Sequence, residues 1–180
     1  MDIQKTAVEG ACLLEFRAFE DTRGFFTRAF CAREFAAAGF TATMVQANLA
    51  GSAARGTLRG LHYQVAPYQE AKLLRCIKGA VFDVVVDIRP ESSTYGAWCG
   101  AELTAANRRM MFVPCGCAHG YLTLQNDSEV YYLASEFYES TAERGIRWND
   151  PTFNIEWPIT EQLTLSDKDQ AWPDFKLSNK

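Results

Sequence analysis

Residues 72–88 read Lys-Leu-Leu-Arg-Cys-Ile-Lys-Gly-Ala-Val-Phe-Asp-Val-Val-Val-Asp-Ile. Two short aliphatic runs, 72–77 and 80–88, flank Lys78 and Gly79, and a glycine-bearing break between apolar runs predicts a β-hairpin. In the second run Val81, Asp83, Val85 and Asp87 share one face, while Phe82, Val84, Val86 and Ile88 share the other. That alternation suits a half-buried strand, with the second set expected to face the core. Further on, residues 109–113 end at the turn Pro114-Cys115-Gly116. Residues 118–124 and 129–135 predict another strand pair around the turn at 125–128, Gln-Asn-Asp-Ser. Helical signal is scarce. A short helix is expected over 31–38, stopped by Gly39, and a second from Ser166, whose hydroxyl caps it with Asp169 three residues on. Many short strands with Gly/Pro turns predict an all-β sandwich or barrel, and 180 residues suit a double-sheet jelly roll. No linker, charge block or repeat marks a boundary, so residues 1–180 read as a single domain.

Composition narrows the function classes. Hydrophobic residues are 48% and charged residues 22%, enough apolar content to bury a core. The net charge of −4 argues against nonspecific nucleic-acid binding. It leaves room for an anionic small molecule, which a few local cations can hold. No apolar run approaches the roughly 18 residues of a membrane helix, because Asp83 and Asp87 interrupt even the most hydrophobic stretch. The first residues, Met-Asp-Ile-Gln-Lys, lack the apolar core of a secretion signal, so a cytoplasmic protein without membrane contact is expected. The six cysteines contain no C-x-x-C pair and read as reduced small hydrophobes.

Only two histidines are available, His62 and His119. No H-x-H pattern exists, and the one carboxylate near His62 in the sequence is Glu70, so no metal is expected. Alone, either histidine reads more readily as a hydrogen-bonded core histidine; the functional reading left for His62 is a general base that takes a carbon-bound proton, provided a partner fixes its tautomer. Asp169 is a candidate for that partner, although spacing alone favours a plain helix-start role for it. Cations accompany these segments: Arg23, Arg59, Lys72 and Lys168. Lys72 shares a strand face with Leu74 and Cys76, and a lysine aimed into an apolar interior is costly unless an anion meets it. Tyr131 and Tyr132 are adjacent on one strand, so at most one can line an interior; periodicity does not choose between them.

Taken together, the motifs resemble those of the dTDP-4-dehydrorhamnose 3,5-epimerase family, from about residue 15 to 170. The marks are Asp21-x-Arg-Gly-Phe-Phe, Gln46-Ala-Asn, Arg59-Gly-Leu-His-Tyr-Gln, Lys72-Leu, Phe82-Asp-Val-Val-Val-Asp-Ile-Arg, Pro114-x-Gly-x-Ala-His-Gly, Glu143-Arg-Gly-Ile-Arg-Trp-Asn-Asp-Pro and Leu165-Ser-x-Lys-Asp. The resemblance implies a metal-free, cofactor-free cupin, a double-stranded jelly-roll barrel with a few short helices. Its implied activity is on a nucleotide-linked, dTDP-type 4-keto-6-deoxyhexose in deoxysugar biosynthesis, with epimerisation at C3, C5 or both through an enolate. It implies His62 as base oriented by Asp169, Tyr132 as acid on the opposite face, and Lys72 at the enolate oxygen. Arg23, Gln46, Asn48, Arg59, His119, Glu143 and Lys168 match positions that contact nucleotide, pyrophosphate or sugar, and Tyr138 is implied to stack on the base. It also implies a homodimer with strand exchange, in which some contacts come from the partner chain. One departure stands out. The family's rhamnose-pathway members carry a glutamate where this chain has Arg28, a cation in place of an acceptor, which alters what that wall binds. A 3,4-ketoisomerase of the same fold is an alternative reaction. A carbohydrate-binding cupin without activity is a third class, and the triple of His62, Tyr132 and Lys72 argues against it, since binding alone needs no acid–base pair.

Overall fold

A computed structural model describes residues 1–177, and residues 178–180 of the expected single domain lie outside the described residues. The chain runs β1 (Asp2–Lys5), β2 (Cys12–Glu15), β3 (Ala18–Asp21), β4 (Gly24–Thr27), α1 (Ala32–Ala37), β5 (Gln46–Ser52), β6 (Leu58–Gln64), β7 (Lys72–Lys78), β8 (Ala80–Asp87), β9 (Trp98–Thr104), β10 (Met110–Val113), β11 (Cys117–Thr123), β12 (Ser128–Ala134), β13 (Glu143–Gly145) and α2 (Asp167–Ala171). A six-stranded sheet, β1-β2-β10-β7-β12-β5, faces a five-stranded sheet, β13-β6-β11-β8-β9, and β3–β4 form a separate hairpin. All pairings between these strands are antiparallel. This is the expected all-β jelly-roll barrel.

The two predicted hairpins are corrected. β7 and β8, separated only by Gly79, lie in different sheets, and so do β11 and β12. Gly79 sits at φ +75°, and a Cβ there would stand 2.4 Å from Ser128 Oγ. The single glycine turns the chain across a corner of the barrel rather than back on itself. A glycine break reports a change of direction; which strands then pair is decided by burial of both faces.

The expected facing of β8 is corrected as well. Val81 and Val85 point into the space between the sheets, with Leu74, Cys76, Met111 and Val130. Val84 and Val86 instead face a second apolar layer, with Leu58, Leu61, Ile146, Phe153 and Trp157, where the C-terminal segment covers the outside of the five-stranded sheet. Both faces of β8 are therefore buried, and Asp83 and Asp87 are wholly buried rather than solvated. A third layer joins Phe35 of α1 to Leu14, Leu73 and Phe112 on the outside of the six-stranded sheet. Both predicted helices are present. Gly39, at φ +89°, follows α1, and Ser166 Oγ accepts from the Asp169 backbone N–H at the start of α2.

Candidate active site

β6 carries Arg59 and His62, and a strict two-residue period would send them to opposite faces. Both nevertheless line one cavity because the strand bulges: His119 of β11 stands opposite His62 and Tyr121 opposite Arg59, so three steps on β6 match two on β11. Gly60 makes this possible, at φ +118° and packed so closely that a Cβ would stand 2.7 Å from Gly120 Cα. The bulge brings both histidines to one cavity of about 550 Å³, lined also by Arg59, Lys72, Tyr121, Tyr132, Glu143, Lys168 and Asp169.

His62 Nε2 lies 2.5 Å from Asp169 Oδ1. Burial pushes the Asp169 carboxyl up, but its hydrogen bonds and charge attraction to His62, with help from Ser166 and the Gly60 backbone, hold it below the usual carboxylate range. The helix-start reading and the partner reading of Asp169 are both satisfied by one residue. His119 Nε2 forms a second pair, 2.8 Å from Asp83 Oδ2 in a fully buried setting. This partner escapes a reading in which Asp83 faces outward; the signal for it is a carboxylate inside an otherwise apolar strand.

Lys72 Nζ is 3.0 Å from Glu70 Oε1, and both side chains are largely buried. The anion that an inward lysine requires is thus supplied by a residue two positions upstream. Tyr132 lines the cavity, while Tyr131 turns outward and is exposed. Burial raises the Tyr132 phenol above its ordinary value, Glu70 adds to the rise and Arg59 opposes it, so the hydroxyl keeps its proton. Tyr121, two residues beyond His119 on the same strand face, also lines the cavity, and burial pushes its phenol up to about 12. The two-residue period from His119 is the signal that would have included it.

At one side of the cavity Lys168 Nζ and the Tyr138 hydroxyl both reach Glu143 Oε2 at 2.5 Å. Burial pushes Glu143 up, yet the bonds from Lys168 and Tyr138 leave it below the ordinary carboxylate range. Gln46 Oε1 accepts from the Tyr138 backbone N–H, and Asn48 follows two residues on along β5, opposite Tyr132. Arg59 donates from Nη2 to the Gly51 carbonyl at 2.9 Å. Arg23 and Arg28 are not brought to this cavity. Arg23 stands exposed on the β3–β4 hairpin against Asp21, and Arg28, just past it, pairs with Glu34 of α1. Among the described residues no group of three or more His, Cys, Asp or Glu is placed to hold a metal ion.

A cavity with a carboxylate-paired imidazole, a largely buried lysine and a phenol that keeps its proton holds groups able to take up and return protons. The family model described as dTDP-4-dehydrorhamnose 3,5-epimerase matches residues 5–177. The chain belongs to that family. A dTDP-4-dehydrorhamnose 3,5-epimerase of Shigella flexneri is 45% identical over 169 residues, covering 94% of this chain and 93% of the relative. The same-named enzyme of Bacillus anthracis, solved with TDP and pyrophosphate bound, superposes with a TM-score of 0.93 at 41% identity, covering 97% of this chain and 99% of that one. The dTDP-6-deoxy-D-glucose-3,5-epimerase of Legionella pneumophila, solved with dTDP-4-keto-L-rhamnose, gives a TM-score of 0.90 at 38% identity, covering 95% and 90%. These epimerases share the jelly-roll barrel over nearly its whole length. No helix among the described residues is long and apolar enough to cross a membrane.

Proposed function

We propose that this protein is an isomerase that epimerises C3 and C5 of a dTDP-linked 4-keto-6-deoxyhexose by proton abstraction through an enolate, with residues 1–180 acting as one cytoplasmic domain. The observation that carries the proposal is the His62–Asp169 pair at 2.5 Å in one cavity with Lys72 and Tyr132. Protons on C3 and C5 are acidic because the C4 ketone can take up the charge. His62 removes one of them; with Nε2 engaged by Asp169, the accepting nitrogen is Nδ1. Asp169 fixes the tautomer and stabilises the imidazolium that forms. Lys72 places positive charge at the enolate oxygen, an effect worth a few kcal/mol in a dry site. Tyr132 returns a proton to the opposite face, and its raised phenol suits an acid that must stay protonated until that step. The sequence moves protons only, so no electron carrier or metal is required by it.

Arg59, His119, Lys168, Glu143, Gln46, Asn48 and Tyr138 are proposed to hold the nucleotide, pyrophosphate and sugar. Arg23 and Arg28 fit the same role only in trans. The hairpin that carries Arg23 presents Phe19, Phe25 and Phe26 to solvent, and Leu49 beside Tyr131 leaves an exposed apolar pair on the outside of the six-stranded sheet. Apolar surface of this kind supports a homodimer in which the hairpin reaches the neighbouring subunit's cavity. Incubation with dTDP-4-keto-6-deoxyglucose, followed by proton NMR of the product ring couplings, tests the reaction. Inversion at C3 and C5 with the carbonyl still at C4 is expected; a product with its carbonyl at C3 would replace the proposal with a ketoisomerase.

A further inference from the structure

The motif beginning at Glu143 supplies that residue to the cavity but leaves Gly145 unexplained. We propose that Gly145 and Trp172 form a latch that positions Asp169 against His62, an inference resting on the proton-transfer role given to that pair above. Gly145 stands opposite His62 in the β13–β6 register. Its φ is not left-handed, so backbone freedom does not demand glycine there. Space does. A Cβ on residue 145 would stand 2.2 Å from both Cε2 and Nε1 of Trp172 and 2.5 Å from Cδ2, far inside contact distance. The indole therefore rests on bare backbone across the strand pair from the histidine.

Trp172 is the C-cap of α2, three residues after Asp169. A five-residue helix has no stability of its own and holds its place only through outside contacts. Ser166 Oγ secures the first turn, and the indole on Gly145 secures the last. Lys168 Nζ lies 5.6 Å from the centroid of the same indole ring, so the cation that meets Glu143 is supported by it too. A hydrogen bond of 2.5 Å tolerates little displacement of either partner. One methyl group at position 145 would lift the ring and tilt α2, and Asp169 would leave His62.

Gly145→Ala and Trp172→Ala test the latch from its two sides in the full chain. Each is expected to slow substrate C–H exchange by about 10²-fold, while Trp172→Phe, which keeps a ring over Gly145, stays within about threefold. At saturating substrate in an Asp169→Ala background the same substitutions are expected to change the rate less than about twofold, because the latch reaches the chemical step through that carboxylate, whereas support of Lys168 shows in KM. Independently of activity, the low-field proton shared by His62 and Asp169 is expected to vanish from the NMR spectrum of both alanine variants, while the one shared by His119 and Asp83 persists. Equal losses with and without the Asp169 carboxylate, or an unchanged His62 resonance, would overturn the latch. If Trp172→Ala fails to fold, Gly145→Ala alone decides. A wild-type protein that exchanges no substrate protons, yet whose variants lose the His62 resonance, would overturn the proposed reaction and leave the latch standing.

Discussion

Single residues in this protein do two jobs at once, and the tests that separate those jobs are chemical. Asp169 starts a helix and grips His62. Asp169→Asn keeps the shape but offers an amide where the imidazole needs an anion; kcat is expected to fall by about 10²–10⁴ with thermal stability little changed. Tyr132 and Tyr131 split cleanly between cavity and exterior. Tyr132→Phe is expected to leave proton abstraction intact but block inversion, so solvent label enters with the configuration retained, whereas Tyr131→Phe behaves as wild type; the reverse pattern would contradict the assignment. Asp87 does no chemistry in this account. Burial pushes its carboxyl up, yet bonds from Arg89, Ser92 and Thr94 hold it at about 2 against an ordinary 3.8. Because the folded value is the lower one, the stabilisation is complete above about pH 5 and is lost as pH falls through about 2; it is worth on the order of 2 kcal/mol. Chemical unfolding of Asp87→Asn against wild type is expected to show a gap that is constant down to about pH 5, narrows by about half at about pH 3 and closes only below about pH 2. A constant gap would remove Asp87 from the account.

Between the elements, glycine carries more information than the strand period. The run 80–88 is legible as a strand, and Gly39 and Ser166 as helix ends, because those signals are local. Partnership is not local: Gly79 marks the corner of a barrel and looks the same in sequence as a hairpin turn. The facing of β8 is equally hidden, since the layer that buries its second face comes from residues 146–175, far along the chain. Arg59 and His62 line one cavity only through the bulge at Gly60. Gly60→Ala would drive a methyl group into the Gly120 backbone at a left-handed φ. A loss of roughly 2–4 kcal/mol is expected, a melting-temperature fall of about 5–15 °C, together with loss of activity as β6 slips. A Gly60→Ala protein that melts and turns over like wild type would contradict the bulge as the device that brings the histidines together.

At the scale of the whole molecule, the barrel supplies a cavity and the C-terminal strap, through Thr164 to Asp169, closes one wall of it. Arg59, His62, Lys72, His119, Tyr132, Glu143, Lys168 and Asp169 line one cavity, and Tyr138 and Gln46 are tied to it through Glu143, so that part of the site is legible in the chain; Arg23 and Arg28 do not converge within one subunit. Their placement makes sense if two copies share their sites. Light scattering is expected to give a dimer, and Phe26→Asp with Leu49→Lys to give a monomer with weakened nucleotide affinity; a monomeric wild type would refute sharing. The central claim is that His62 strips a proton from carbon beside the ketone. Wild type and His62→Ala, each incubated with dTDP-4-keto-6-deoxyglucose in deuterated water, test it most directly. Deuterium is predicted at both C3 and C5 with wild type and at neither with His62→Ala, although the variant still binds nucleotide. Deuterium entering at the wild-type rate in His62→Ala would contradict the account.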